Sequence, residues 1–211
     1  NINLAVGGAA VVPVGVNVPD SFLSIEGAIG SLGNDTIVGG AAVVTDAAGA
    51  PVLDALGNQI PIDFWLWGNN GNDIITGDAG NDHLSGGAGN DTIDGGAGID
   101  ILDFSDATFG VGITTGITMT LGTGATNRTI NLTSIGLGID TYRNMEGIAG
   151  SNINDNLTGS GAGDILIGNA GDDILNGAAG NDTLRGGLGL DNINGGTGVD
   201  LLDLSDASAG F

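Results

Sequence analysis

Residues Gly71 to Asp100 read "GNDIITGDAGNDHLSGGAGNDTIDGGAGID", and an Asp returns every nine residues, at Asp73, Asp82, Asp91 and Asp100. Glycines precede each Asp, and an Ile or Leu follows two places later. Working outward, nonapeptides of this kind begin at Gly30, Gly68, Gly77, Gly86 and Gly95, and again at Gly150, Gly159, Gly168, Gly177, Gly186 and Gly195. All eleven carry Gly first, Asp sixth and Ile or Leu eighth. Ile153 and Ala162 replace the Gly that the other nine carry fourth.

The two arrays copy each other. "EGAIGSLGND" from Glu26 parallels "EGIAGSNIND" from Glu146, an offset of 120, whereas "GGAGIDILDFSDA" from Gly95 parallels "GGTGVDLLDLSDA" from Gly195, an offset of 100. The difference places a 20-residue insertion in the first copy, within 39–67. The organisation expected is a leading β segment or cap over 1–25, a first array over 26–110, a β-rich linker over 111–145 and a second array over 146–211.

Each unit divides into a six-residue turn and three residues able to form a short strand with the apolar eighth residue facing inward. Glycine permits the tight turn because it tolerates positive φ and lets backbone approach backbone. Nine residues then make half a coil, and stacked coils lie about 4.8 Å apart in the hydrogen-bonding direction. Asp residues eighteen apart, such as Asp73 and Asp91, fall on one edge in adjacent coils. Two bare carboxylates at that spacing repel by roughly 3 kcal/mol at an effective dielectric of 20. A ladder of such pairs requires a counter-charge, and a donor set of carboxylate and turn carbonyl oxygens suits calcium better than zinc or magnesium.

Composition agrees. The 211 residues hold 25 acids against three bases, Arg128, Arg143 and Arg185, for a formal charge of -22. Such a polyanion repels nucleic acid and anionic membrane surfaces, which excludes both as partners and leaves no expectation of membrane insertion. A hydrophobic content of 41% in a regular pattern argues against disorder. The absence of Cys excludes disulfides, and no signal peptide, transmembrane run or initiator Met is visible. The chain reads as an excerpt of a longer one.

The repeat GGxGxDxUx resembles the calcium-binding nonapeptide of RTX (repeats-in-toxin) proteins, and "GGAGNDTID" from Gly86 fits it at every place. That resemblance implies an all-β fold, a right-handed parallel β-roll (a β-solenoid) in two stacked RTX blocks with a β linker. It also implies calcium ions along both edges, each held by the sixth-place Asp and the second- and fourth-place carbonyls of one turn. The turn eighteen residues later adds its first- and third-place carbonyls and its own Asp. Carried over, one site joins Asn69, Gly71 and Asp73 to Gly86, Ala88 and Asp91, and another joins Asp78, Gly80 and Asp82 to Gly95, Ala97 and Asp100. Across the insertion, Ser31, Gly33 and Asp35 would face Gly68, Asn70 and Asp73, since 38 residues are one coil plus the 20 inserted. In the second array, Ser151 and Asp155 face Gly168, Ala170 and Asp173, and Ser160 and Asp164 face Gly177, Ala179 and Asp182. Asn169, Gly171 and Asp173 then face Gly186, Leu188 and Asp191, and Ala178, Gly180 and Asp182 face Gly195, Thr197 and Asp200. The total is up to about seven ions. The turn after Gly39 lacks a sixth-place Asp, so Asp82 is expected to share an ion only with Asp100.

Other features read as structural. His83 occupies a variable strand place without a partner motif, and Asp106 and Asp206, in "FSDA" and "LSDA", read as a shared block-ending turn rather than a catalytic pair. Ninth-place Asp94 is expected outside the turn. In the insertion "DAAG" suggests a hairpin turn; Trp65 and Trp67 alternate with Leu66 and share one face, which reads as a core plug ahead of a partner contact. "GITMTL" and "RTINLT" read as strands.

No nucleophile elbow, HExxH or phosphate loop is present, so no enzyme is expected. The resemblance implies a calcium-binding structural module of a secreted or cell-surface protein, unfolded in low-calcium cytoplasm, exported by a type I secretion channel and folded outside. Alternatives are an accessory module of a larger secreted enzyme (protease, lipase or alginate epimerase) or a ligand-binding adhesin domain with a surface or carbohydrate partner. The varied third place argues against a Thr-ruled ice-binding face.

Overall fold

The computed structural model describes residues 2–3, 27–39, 53, 56, 58–59, 61–107 and 114–205. Most of the 1–25 segment, the "DAAG" turn and Asp206 lie outside the described residues.

The three residues after each sixth-place Asp form a short parallel strand, and the strands stack into two faces. One face is an unbroken eight-stranded sheet of β2 (Gly27–Ile29), β4 (Trp65–Trp67), β6 (His83–Ser85), β8 (Ile101–Asp103), β12 (Gly147–Ala149), β14 (Ile165–Ile167), β16 (Thr183–Arg185) and β18 (Leu201–Leu202). The other face has two parts. The first is β1 (Ile2–Asn3), β3 (Thr36–Val38), β5 (Ile74–Ala79), β7 (Thr92–Ala97), β11 (Gly138–Arg143) and β10 (Arg128–Leu132); the second is β9 (Thr118–Thr120), β13 (Asn156–Thr158), β15 (Ile174–Asn176) and β17 (Asn192–Asn194). All pairings are parallel except β10 with β11. The fold is an all-β parallel roll. Among the described residues no helix is long and apolar enough to cross a membrane.

Between the faces runs a core of eighth-place side chains. Ile37, Ile75, Leu84, Ile93, Leu102, Leu157, Leu166, Leu175 and Leu184 are all buried. Each such side chain contributes about 1.5–3 kcal/mol by leaving water. The tryptophans do not plug this core, which corrects the sequence reading. Leu66 takes the eighth place and is fully buried, while Trp65 is 45% exposed. Side chains alternate along a strand, so residues flanking an inward Leu must face outward.

Two registers position the edges. Thr36 pairs with Ile74 and Gly27 with Trp65, so the coil closes across the insertion. β8 pairs with β12, Leu102 opposite Ile148, so the eight-stranded face runs through both arrays. The opposite face is interrupted between β10 and β9, where the Tyr142 hydroxyl donates to the Thr120 carbonyl at 3.1 Å.

Candidate metal centres

Eight of the eleven repeats begin with a turn whose second and fourth residues are left-handed, as in Asn69 (φ +78°) and Gly71 (φ +132°). The first glycine is needed for space. A β-carbon on Gly68 would lie 2.4 Å from both Asp73 Oδ2 and the Gly86 carbonyl oxygen, far inside van der Waals contact. Gly168 and Gly177 stand in the same relation to Asp173 with Gly186, and to Asp182 with Gly195. At each edge a carboxylate oxygen and a carbonyl of the next coil therefore converge on one small volume.

The sixth-place carboxylates use their two oxygens differently. Oδ1 accepts from the amide of the Asp one coil below: Asp73 N–H donates to Asp91 at 2.8 Å, Asp82 to Asp100 at 2.9 Å, and Asp35 to Asp73 at 2.7 Å across the insertion. The second array repeats this from Asp155 to Asp173, Asp164 to Asp182, Asp173 to Asp191 and Asp182 to Asp200, at 2.8–3.1 Å. Oδ2 is left over. Among the described residues, the buried side-chain oxygens without a hydrogen-bond partner are the Oδ2 atoms of Asp73, Asp82, Asp91, Asp100, Asp173 and Asp182. Buried polar atoms are nearly always satisfied in folded proteins, and an unpaired buried charge is costly. Burial, the largest cause, pushes Asp73, Asp82 and Asp173 up to about 6 and Asp100 up to about 7.

These positions fit calcium. The donors are paired carboxylates and backbone carbonyls, all hard oxygens. No group of three His, Cys, Asp or Glu side chains placed to hold a metal ion occurs among the described residues. The second- and third-place carbonyls already join neighbouring turns: Ala88 N–H donates to Asn69 O at 2.7 Å and Gly71 N–H to Ala88 O at 2.9 Å. Each oxygen keeps a second lone pair for a cation.

The structure brings together every Asp pair expected from the sequence, but three turns differ in kind. Ser31, Ser151 and Ser160 turn their own donors onto the carboxylate. Ser31 N–H and Oγ–H bond Asp35 Oδ2 at 2.6 and 2.8 Å, Ser151 does the same to Asp155 at 2.6 and 3.1 Å, and Ser160 to Asp164 at 2.6 and 2.9 Å. In these turns Oδ2 is satisfied without an ion. Asp82 has no sixth-place carboxylate beneath it; the buried Phe64 holds that place and its amide donates to Asp82 Oδ1 at 2.7 Å. Ile117 takes the corresponding place beneath Asp155.

Two further sets of residues were missed in the sequence. The fifth-place side chains form a second ladder: Asn72 accepts from Asn90 N–H at 2.8 Å, Asn81 from Ile99 and Asp172 from Leu190 at 2.9 Å, and Asp63 from Asn81 at 2.7 Å. The signal was the Asn that precedes most sixth-place aspartates. Residues 135–143, "IGLGIDTYR", form an unrecognised half-coil seated on β7, with Asp140 opposite Asp91. Its Gly second and fourth, Asp sixth and apolar eighth place were legible, but Ile135 stands where the repeat has Gly.

The remaining side chains are structural neighbours. His83 stacks on Trp65 with centroids 4.1 Å apart and lies 3.6 Å from Asp103. Ser85 Oγ–H donates to Asp106 at 2.9 Å. Asp94, expected outside the turns, pairs with Arg143 and accepts from Asn144 Nδ2 at 2.7 Å.

A parallel roll with paired aspartates and converging turn carbonyls along its edges defines a cation-binding repeat protein. The RTX calcium-binding nonapeptide repeat matches in four copies, at residues 28–42, 67–102, 150–184 and 177–206, which cover just over half of the chain. The chain belongs to this family and is a calcium-binding module of the RTX type. No curated protein matches it.

Proposed function

We propose that this module folds on calcium binding as a structural part of a longer secreted or cell-surface protein. Its array ions lie between Asp73 and Asp91, Asp82 and Asp100, Asp173 and Asp191, and Asp182 and Asp200. The observation that carries the reading is the set of buried Oδ2 atoms without partners, with those of Asp73, Asp82, Asp173 and Asp182 each beside a first-place carbonyl of the coil above. Calcium would supply the missing positive charge there, while the chain's carboxylates and first-place carbonyls of Gly86, Gly95, Gly186 and Gly195 orient around it. Without a cation the stacked, buried carboxylates oppose the fold. Millimolar external calcium fits this behaviour, because open modules of this kind bind in the ~0.1–1 mM range. The role assigned to the described residues is structural rather than catalytic.

Far-ultraviolet circular dichroism of the chain in EDTA, followed by calcium titration, tests the proposal. The expected result is a largely unordered spectrum in EDTA and a β spectrum on adding calcium. A complete β spectrum in EDTA at neutral pH overturns it.

A further inference from the structure

The junction between the arrays carries two of the unsatisfied carboxylates, and neither faces a recognised repeat. Asp91 and Asp100 are 2% and 0% exposed, and the Oδ2 of each lacks a partner. Above Asp91 sits the half-coil of β11. Asp91 N–H donates to Asp140 Oδ1 at 2.9 Å, and Ile139 N–H donates to Asn90 Oδ1 at 2.8 Å, repeating the sixth- and fifth-place bonds of the arrays. Gly89 N–H donates to Leu137 O at 3.1 Å, as Gly71 does to Ala88. Gly138 is left-handed (φ +94°), and a β-carbon on it would lie 1.7 Å from Gly89 O, the relation Gly89 itself bears to Gly71 at 1.5 Å. Asp140 is itself 2% exposed.

On the opposite edge Asp100 N–H donates to Glu146 Oε2 at 3.1 Å. A β-carbon on Gly95 would lie 2.1 Å from the Asn144 carbonyl oxygen and 2.6 Å from Asp100 Oδ2. Asn144 O thus stands over Gly95 as Gly86 O stands over Gly68. The nearby guanidinium of Arg143 is engaged with Asp94 on the outer face. Each pocket therefore pairs two carboxylates around a buried, unsatisfied oxygen; the Asp100 pocket also has the overlying carbonyl found in the arrays, while the Asp91 pocket repeats the arrays' turn-to-turn bonds.

We propose that Asp91 with Asp140, and Asp100 with Glu146, form two additional calcium sites at the junction, the first tying the first array to the linker half-coil and the second tying it to the start of the second array. The proposal rests on the calcium reading above and extends it to residues outside every recognised repeat. Glu146 also begins the second array, since its carbonyl accepts from Ile165 N–H at 2.9 Å. An ion there ties the stability of one array to the other.

Native mass spectrometry of the full chain in calcium counts the ions. D140N and E146Q each retain an oxygen acceptor for the amide below, so the fold has its hydrogen bond while the site loses its charge. Each variant is expected to bind one ion fewer than the parent, as is an array control, D191N. Full occupancy in D140N and E146Q with a loss in D191N overturns the junction sites and leaves the calcium reading standing. No calcium bound by the parent overturns both. Should a variant fail to fold, substoichiometric Mn2+ on the calcium-loaded parent gives an independent readout by nuclear magnetic resonance. Broadening of the Asp91, Asp100, Thr141 and Gly147 amides alongside those of Asp173 and Asp182 supports the proposal. Sharp junction amides beside broadened array amides overturn it.

Discussion

Whether a turn leaves its carboxylate open to a cation is decided by its second residue. In eight turns that residue is left-handed, from Ala178 at φ +73° to Gly96 at φ +105°, and the fourth-place Gly is left-handed as well. In the three serine turns neither place is left-handed, and the Ser amide and hydroxyl close onto Oδ2. The left-handed region costs a non-Gly L-residue roughly 1–2 kcal/mol, so Ser second, joined by Ile153 or Ala162 fourth in two of the three turns, biases the turn towards the closed form. The Ser160→Gly, Ala162→Gly double variant removes both obstacles. Gly177 O already faces the vacated place, since a β-carbon on Gly159 would lie 2.5 Å from it and 2.8 Å from Asp164 Oδ2. The variant is expected to bind one calcium more than the parent, counted by native mass spectrometry; an unchanged count shows that serine is not what closes the turn. The same carboxylates set a pH dependence. Burial raises Asp73, Asp82 and Asp173 from 3.8 to about 6, and Asp100 and Asp140 to about 7. The folded state thus holds protons that the unfolded chain releases. The stability this gives is complete below the unfolded value near 3.8 and is lost as pH rises through 6 to 7. In EDTA, the β signal is expected to grow as pH falls from 7.5 to 4. A flat profile contradicts the burial of these groups.

At the scale of the strand, the nine-residue period was enough to place most of the roll. Ile or Leu at the eighth place gave the buried stripe, with only Ile193 and Leu202 in the last coils left partly exposed, and the spacing of Asp35 and Asp73 gave the register across the insertion, now seen as Ile37 opposite Ile75. Three things escaped for physical reasons. The half-coil at 135–143 enters from a 3-10 turn, Thr133–Ile135, so its first place needs no glycine and the strictest mark of the repeat is absent. The tryptophans lie off the core because strand parity outranks their hydrophobicity; Leu66 holds the inward place whatever flanks it. The serine closures were legible in part: the missing fourth-place Gly at Ile153 and Ala162 marks two of these turns as irregular, but a second-place Ser resembles any other small turn residue until its backbone angle is known. Asp63 shows the reverse case: it has no sixth-place role, yet its carboxylate serves the fifth-place ladder beneath Asn81.

For the whole molecule, stacking makes stability a matter of neighbours. Each coil contacts only the coils above and below, so a roll behaves as a one-dimensional array whose ends are weaker than its middle. β8 and β12 lie mid-sheet, with Leu102 and Ile148 buried and a cation site proposed on either edge of their coil. β18 is the last described strand of that sheet. Its Leu201 is 59% exposed, and Val199 in the preceding turn is 81% exposed. The backbone bonds themselves do not differ: Ile101 N–H reaches Asp82 O at 2.8 Å, Gly147 reaches Asp100 O at 2.9 Å, and Leu201 reaches Asp182 O at 2.7 Å. Protection against hydrogen exchange in saturating calcium should therefore follow position in the stack rather than bond length. The amides of Ile101, Leu102, Gly147 and Ile148 are expected to exchange slowest, and those of Asn192, Leu201 and Asp203 at least tenfold faster, because the half-exposed Leu201 and Leu202 give their coil little apolar surface to lose on opening. Hydrogen-exchange mass spectrometry of peptides spanning 98–105, 145–152 and 190–205 reads this directly. Uniform protection would mean that the roll opens only as a whole. A minimum at 145–152 would instead mean that the two arrays open separately, with the weak point at Glu146 and the junction rather than at the end.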